Sequence, residues 1–165
     1  MRVFIGIKVD SKAQNKIKSY FNLFYENKVR GNYTKISNLH MTLVFLGEIS
    51  EDKIPILKSI INSVKLEVNE IKLSKISTIK DILVSDIEEN EGIVHMYNDL
   101  ATKLEQANFK FEKHKLYPHI TLIRKAENYE RFIGCEMNIT STFDKITLFE
   151  SKRINNELIY IDLGE

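Results

Sequence analysis

The chain has 165 residues, of which 43% are hydrophobic and 28% charged, and its formal net charge is +1. These values are typical of one globular domain, and they exclude a global electrostatic field that would concentrate nucleic acid, so any anion site must be local. Cys135 is the only cysteine, which excludes an intramolecular disulfide and a multi-cysteine zinc site.

No targeting or membrane segment is visible in the sequence. The apolar stretch at the start is too short for a signal peptide, and no apolar run approaches the length of a membrane span. A lone thiol suits a reducing compartment. We therefore expect a cytoplasmic protein without a membrane association or an obligate protein partner, acting as a monomer.

The first third of the chain alternates between strand and helix patterns. Apolar residues with a period of two predict a strand over Arg2–Val9, and Asp10 can cap the helix that follows. The polar segment Lys28–Asn38 is typical of a loop. It leads into a predicted strand over about Leu39–Leu46, after which Ser50 is expected to cap a second helix.

The remainder is richer in strands. Two short strands are predicted near Glu70–Ile76 and Thr78–Ile87, and the acidic run Asp86–Gly92 indicates a solvated turn before a third helix that starts near Ile93. The basic loop Lys110–Pro118 comes next. Further strands are expected near His119–Arg124, Cys135–Glu150 and Glu157–Leu163. This order of elements is an α+β pattern.

The most informative feature is the pattern His-x-Thr-Leu, which occurs twice in a chain that has four histidines. In a strand, residues i and i+2 project from the same face. The histidine and threonine of each copy therefore point together: His40 with Thr42, and His119 with Thr121. If the two strands lie side by side about a pseudo-twofold axis, two imidazoles and two hydroxyls converge on one cleft.

That constellation has the groups needed to hydrolyse a phosphodiester. One histidine can act as the base for the attacking water and the other as the acid for the leaving oxygen, since imidazoles titrate near working pH. The two threonine hydroxyls can donate to the non-bridging oxygens as charge grows there. No metal and no cofactor are required.

Other readings of these residues are weaker. A single histidine on a strand is more often structural than catalytic, but two copies of the same context are hard to dismiss. Metal binding is poorly supported, because no carboxylate or cysteine lies at ligand spacing beside either motif. Nucleophilic catalysis by Cys135 is also unsupported, since nothing near it in sequence would activate a thiolate.

One further histidine has a single reading, and three further residues have two readings each. We expect His95 to be a surface residue on the third helix. His114 lies in the basic loop and is either part of a solvated face or a contact for an RNA backbone. Tyr33 and Tyr117 either stack on a base or pack within their loops.

The segments HMTLVFLG, which begins at His40, and PHITLIR, which ends at Arg124, resemble the paired motifs of the two-histidine (2H) phosphoesterase superfamily. More narrowly, they resemble its 2′–5′ RNA ligase-like branch, whose members act as RNA 2′,3′-cyclic phosphodiesterases. Asn38 and Leu39 before the first motif also fit, as do the opening and closing strands. The resemblance covers essentially the whole chain.

The resemblance implies an α+β, bilobal fold over residues 1–165, with two pseudo-symmetric antiparallel sheets flanked by helices around a central cleft. It implies metal-free hydrolysis of an RNA 2′,3′-cyclic phosphate to a 2′-phosphate, and the reverse reaction, a 2′–5′ ligation. His40 would be the acid and His119 the base, while Thr42 and Thr121 would bind the phosphate. Arg124 would bind phosphate or pair structurally, and strict alternation places it on the face opposite His119.

Two rival functions are carried forward. One is a phosphodiesterase of the same superfamily that acts on another substrate, such as a 2′–5′ linked oligonucleotide or ADP-ribose 1″,2″-cyclic phosphate. The other is a catalytically idle RNA-binding module that retains the cleft. Turnover of an RNA 2′,3′-cyclic phosphate end to a 2′-phosphate supports the leading reading, whereas tight binding without turnover indicates the binding module.

Overall fold

The computed structural model describes residues 1–113 and 115–164, and in them the chain forms nine strands and three α-helices. The helices are α1 (Ser11–Glu26), α2 (Ile54–Ser63) and α3 (Glu91–Gln106). The strands are β1 (Arg2–Lys8), β2 (Arg30–Tyr33), β3 (His40–Glu48), β4 (Glu70–Ile79), β5 (Ile82–Ile87), β6 (His119–Glu127), β7 (Glu136–Thr142), β8 (Thr147–Ile154) and β9 (Glu157–Asp162).

All strand pairs are antiparallel, in the order β7-β4-β5-β6-β3-β1-β8-β9, with β2 beside β6. The order is nearly symmetric about its centre, where the two motif strands β3 and β6 are neighbours. The predicted α+β class is confirmed. The two predicted sheets are joined into one by a single register pair at the centre, Met41 opposite Ile120.

The motif strands bury one face and present the other to solvent. Met41 and Leu43 in β3, and Ile120 and Leu122 in β6, are at most 5% exposed and belong to one core that also includes residues of all three helices. Burial of that many aliphatic side chains is the main force that holds the two halves together. The alternate residues of both strands are left for the opposite face.

The loop prediction for Lys28–Asn38 is wrong in part, because Arg30–Tyr33 forms β2. Asn32 and Tyr33 pair with Arg124 and Ile123 of β6. Gly31 makes this close approach possible, since it has a φ of +142° and a Cβ there would lie 2.6 Å from the side chain of Ile123.

Several boundaries also differ from the expectations. Ser50 makes no side-chain cap; a short 3-10 turn follows it, and α2 begins at Ile54. The acidic run does not form a solvated turn over its whole length, because Asp86 lies in β5 and α3 begins at Glu91. The side chain of Asn90 caps α3 and accepts a hydrogen bond from the Gly92 amide at 2.8 Å. By contrast, Asp10 caps α1 as predicted, accepting from the amide of Ala13 at 2.8 Å.

The segment predicted as strand over Cys135–Glu150 is divided into β7 and β8. The division is required by topology, since β7 pairs with β4 in one half of the sheet and β8 pairs with β1 in the other. The chain between them must cross from one half to the other. Within the described residues, no helix is both long enough and apolar enough to cross a bilayer.

Candidate active site

A cavity of about 640 Å³ opens on the face of β3 and β6 opposite the core. It brings together the five residues that sequence analysis singled out, which are His40, Thr42, His119, Thr121 and Arg124. The convergence of two imidazoles and two hydroxyls, predicted from the repeated motif, is therefore observed. The chemical role of each residue is a separate question.

The register at the centre of the sheet sets the arrangement of these side chains. Because Met41 lies opposite Ile120 in an antiparallel pair, His40 lies across from Thr121, and Thr42 across from His119. The two imidazoles thus occupy opposite corners of a four-residue patch. Diagonal neighbours of this kind are separated by about 7–8 Å, which leaves room for a tetrahedral phosphate between them.

Matching β-bulges extend the polar face of both strands. In β3, Ile5 pairs with Val44 and Gly6 with Thr42, so one extra residue is inserted. The β6 strand has the same irregularity where it pairs with β5. A bulge reverses the alternation of side chains beyond it.

The bulges place two further residues at the cavity, Phe45 in β3 and Arg124 in β6, each five residues after its histidine. The expectation that Arg124 faces away from His119 is therefore wrong. Two consecutive residues before it, Leu122 and Ile123, are both buried, so the side chain that follows returns to the cleft. The sequence pattern alone does not reveal this position of Arg124, because it depends on the register in which the strands pair.

The hydrogen bonds of His40 fix its tautomer. Its Nδ1–H donates to the carbonyl oxygen of Asn38 at 2.8 Å, so its Nε2 has no proton when the ring is neutral. The hydroxyl of Thr42 therefore donates to Nε2, also at 2.8 Å. The imidazole ring packs against the rings of Phe4 and Tyr160, whose centroids lie 4.8 and 5.1 Å from its own.

Burial lowers the pKa of His40 to about 4. The positive charge of Arg124 lowers the pKa further, while the hydrogen bond to the Asn38 carbonyl opposes the shift. His40 is therefore neutral at pH 7 in the ligand-free protein.

His119 has a related but more open environment. Its Nδ1–H donates to the carbonyl oxygen of Tyr117 at 2.7 Å in a solvent-exposed bond, and the Tyr117 ring lies 4.9 Å from the imidazole. The Tyr117 hydroxyl donates to Asp86 and lies 3.1 Å from the Ser77 hydroxyl. Burial raises the pKa of Tyr117, and its hydrogen bond to Asp86 raises it further, so the phenol is protonated at neutral pH.

Asn38 positions His40 and was noted in the sequence only for its fit to a motif. It is a buried polar residue, 6% exposed. Its side-chain amide donates to the carbonyl of Leu158 at 2.8 Å and accepts from the Tyr160 amide at 3.3 Å. It thereby ties β9 to the turn before β3, while its own carbonyl orients His40.

Replacing Asn38 by alanine is expected to lower the free energy of unfolding by about 1–3 kcal/mol, because two backbone groups of β9 lose their partner. It is also expected to lower kcat, since β9 carries Tyr160, which packs on His40. Urea unfolding and steady-state kinetics measure the two effects. Asn62→Ala, at an exposed site on α2, is the matched control, and equal stability of both variants would contradict this role.

The remaining candidates lie elsewhere or outside the described residues. His95 is exposed, as predicted, and its Nδ1 lies 3.0 Å from the carboxylate of Glu67. Tyr33 packs edge-on against Phe21 and donates to the Val29 carbonyl at 2.6 Å. His114 lies outside the described residues. Within residues 1–113 and 115–164, no group of three or more His, Cys, Asp or Glu side chains could hold a metal ion.

Comparisons with known proteins show which family this chain resembles. Residues 7–87 match the model of the family described as LigT-like phosphoesterases. A protein of Methanocaldococcus jannaschii named RNA 2′,3′-cyclic phosphodiesterase is 30% identical over 132 residues, which is 75% of this chain and 71% of the relative. A protein of the same name from Thermotoga maritima is 26% identical over 75% of this chain and 70% of the relative.

The fold has close counterparts among solved structures. Escherichia coli LigT in complex with 3′-AMP superimposes with a TM-score of 0.82 at 21% identity, covering 98% of this chain and 94% of LigT. The apo form of LigT gives a TM-score of 0.81 at 22% identity, again over 98% of this chain and 94% of LigT. At this level of identity the likeness concerns the fold.

Proposed function

The chain belongs to the LigT-like phosphoesterase family, and on that premise we propose that it hydrolyses RNA 2′,3′-cyclic phosphate ends to 2′-phosphate ends, with 2′–5′ ligation as the reverse reaction. The observation that carries the proposal is the pair of His-x-Thr motifs facing one cavity from adjacent strands. Acid–base catalysis of this reaction needs two titratable groups on opposite sides of phosphorus, and the diagonal placement of the imidazoles supplies them.

The two histidines differ in their access to solvent. His40 packs among Phe4, Phe149 and Tyr160, whereas the Nδ1 hydrogen bond of His119 is exposed. We therefore assign water activation to His119 and protonation of the leaving oxygen to His40. In the step, the water oxygen bonds to phosphorus and gives its proton to Nε2 of His119, while the P–O3′ bond breaks and O3′ takes a proton from Nε2 of His40.

This assignment requires His40 to gain a proton when the substrate binds. At pH 7, protonating a group with a pKa of about 4 costs about 4 kcal/mol. A phosphate anion about 4–5 Å away returns about 3–4 kcal/mol at an effective dielectric constant of about 20. The two energies nearly balance, so the bound anion can bring the acid into its protonated, active form at neutral pH.

Proton uptake also frees Thr42. In the ligand-free protein its hydroxyl donates to Nε2 of His40. Once Nε2 carries a proton it becomes a donor, and the hydroxyl can turn to a non-bridging phosphate oxygen. Thr121 is placed to do the same on the other side, and Arg124, exposed at the cavity, offers a charged donor. Charge-assisted hydrogen bonds of this kind are typically worth about 1.5–3 kcal/mol each.

We also propose that residues 1–165 work as one bilobal unit that acts as a monomer in the cytoplasm. The sheet is continuous through both halves, and one chain supplies both motifs to the cavity. The single cysteine is exposed and unpaired, which suits a reducing compartment.

Incubation with EDTA and an oligoribonucleotide that ends in a 2′,3′-cyclic phosphate tests the proposal. The expected result is turnover to a product whose end is a 2′-phosphate, identified by its resistance to a 3′-phosphate-specific phosphatase. Tight binding without turnover would instead indicate an idle RNA-binding module. Activity that EDTA abolishes and a divalent ion restores would contradict the metal-free mechanism.

A further inference from the structure

The end of the β8–β9 hairpin extends past the rest of the sheet. Strand β1 pairs with β8 only as far as Glu150, whereas β8 and β9 remain paired out to Ile154 and Glu157. The turn between them consists of two asparagines with φ of 53° and 64°, the pattern of a tight two-residue hairpin turn. Residues 151–160 therefore form a two-stranded ribbon, and its β8 side lines the cavity.

This ribbon carries two cations that the proposed mechanism does not use. Lys152 and Arg153 both line the cavity and are exposed. Within the described residues, no carboxylate forms an ion pair with either of them. Arg153 is held in place by a bond from its Nη1 to the carbonyl of Asn156 at 3.2 Å. The carboxylate of Glu157 on the ribbon is already engaged by Lys35 at 2.5 Å.

The cavity holds more positive charge than one phosphodiester requires. Its described lining includes four cations and no carboxylate: Arg2, Arg124, Lys152 and Arg153. Arg124 is near enough to His40 to lower its pKa, and the guanidinium of Arg2 lies 4.9 Å from the ring centroid of Phe45. A cyclic phosphate bears a single negative charge, so the two ribbon cations are surplus for a mononucleotide.

The space beyond the histidines leads towards the ribbon. A second cavity of about 480 Å³ shares six lining residues with the first: His40, Thr121, Arg124, Arg153, Leu158 and Tyr160. The second cavity therefore borders the first along a wall that includes Arg153. A chain whose terminal phosphate lies between the histidines has a path along this wall, with its next phosphate passing the ribbon cations.

We propose that Lys152 and Arg153 form a second phosphate subsite, so that the preferred substrate is an oligoribonucleotide with at least one phosphodiester 5′ to its cyclic end. The proposal rests on the proposed function for the identity of the terminal group. Cations beside a groove are the usual means by which proteins follow a nucleic-acid backbone without reading its sequence. The subsite therefore selects for chain length.

The test compares uridine 2′,3′-cyclic phosphate with a uridine trinucleotide that has the same cyclic end. Wild-type protein is expected to show the higher kcat/KM on the trinucleotide. The double variant Lys152→Ala/Arg153→Ala is expected to reduce the ratio of the two kcat/KM values about tenfold. The double variant Lys16→Ala/Lys18→Ala, at two exposed sites on α1, removes the same charge and should leave the ratio unchanged.

A binding measurement keeps the inference testable without turnover. The affinity of a trinucleotide with a terminal 2′-phosphate is measured at several salt concentrations, and the slope of log Kd against log salt should fall by about 0.7 for each phosphate contact that the double variant loses. A wild-type ratio of the two kcat/KM values near one, or an unchanged salt slope in the double variant, overturns the proposal of a second phosphate subsite. Failure to hydrolyse either substrate overturns the proposed function instead, and the salt slope then decides the subsite alone.

Discussion

Replacing His40 or His119 by alanine is expected to lower kcat on an RNA 2′,3′-cyclic phosphate end by about 10²–10⁴-fold in each case, the usual contribution of a positioned acid or base. Both imidazoles line the same cavity from opposite corners. Single-turnover hydrolysis measures the effect. His95→Ala is the matched control, because this histidine is exposed and paired with Glu67, and its variant should turn over at the wild-type rate.

A substrate with a good leaving group separates the two roles. Bis(p-nitrophenyl) phosphate releases a phenolate that needs no proton, whereas its hydrolysis still needs an activated water. His40→Ala should therefore lose much less activity on this diester than on the RNA end, while His119→Ala should lose about as much on both. The opposite pattern would reverse the assignment of acid and base.

Phosphate binding is expected to raise the pKa of His40 from its ligand-free value of about 4 towards neutral pH. The physical reason is that the anion adds a favourable charge to a ring that burial holds neutral. Imidazole ¹⁵N chemical shifts, recorded as a function of pH with and without uridine 2′-monophosphate, report the protonation state directly.

The control for this titration is the same measurement in Thr42→Val, which removes the hydroxyl bound to Nε2 but leaves the burial of His40 in place. The ligand-free pKa should stay low in that variant. If His40 remained neutral in the nucleotide complex at pH 6, the ring could not act as the general acid, and the assignment of His40 would be wrong.

The parts of the site that lie within four residues of each other could be predicted from the sequence. A strand brings His40 beside Thr42, and His119 beside Thr121, because residues i and i+2 share a face. The second occurrence of the motif indicated that both strands face one cleft. The cavity confirms that the two histidines and the two threonines converge. Their convergence requires only strand periodicity and one pairing between β3 and β6.

The parts that depend on register or on distant pairing could not be predicted. Arg124 reaches the cleft only because a bulge shifts the alternation by one residue. Asn38 is bound to a strand 120 residues away in the chain, and no local pattern reports such a contact. The four residues of β2 are polar, and they became a strand because β6 offered an edge and Gly31 allowed the approach.

The pH dependence of kcat/KM on a cyclic phosphate end tests the central claim most directly, because it reports the titrations of the free enzyme's acid and base. Paired catalysis needs one proton on the pair of His40 and His119, which predicts a bell-shaped profile. Its acidic limb lies near pH 4, where the ligand-free His40 titrates, because the pair then holds two protons and no neutral base remains. The activity should fall again at higher pH as the pair loses its remaining proton. A profile that is flat between about pH 5 and pH 9 would contradict two-histidine acid–base catalysis.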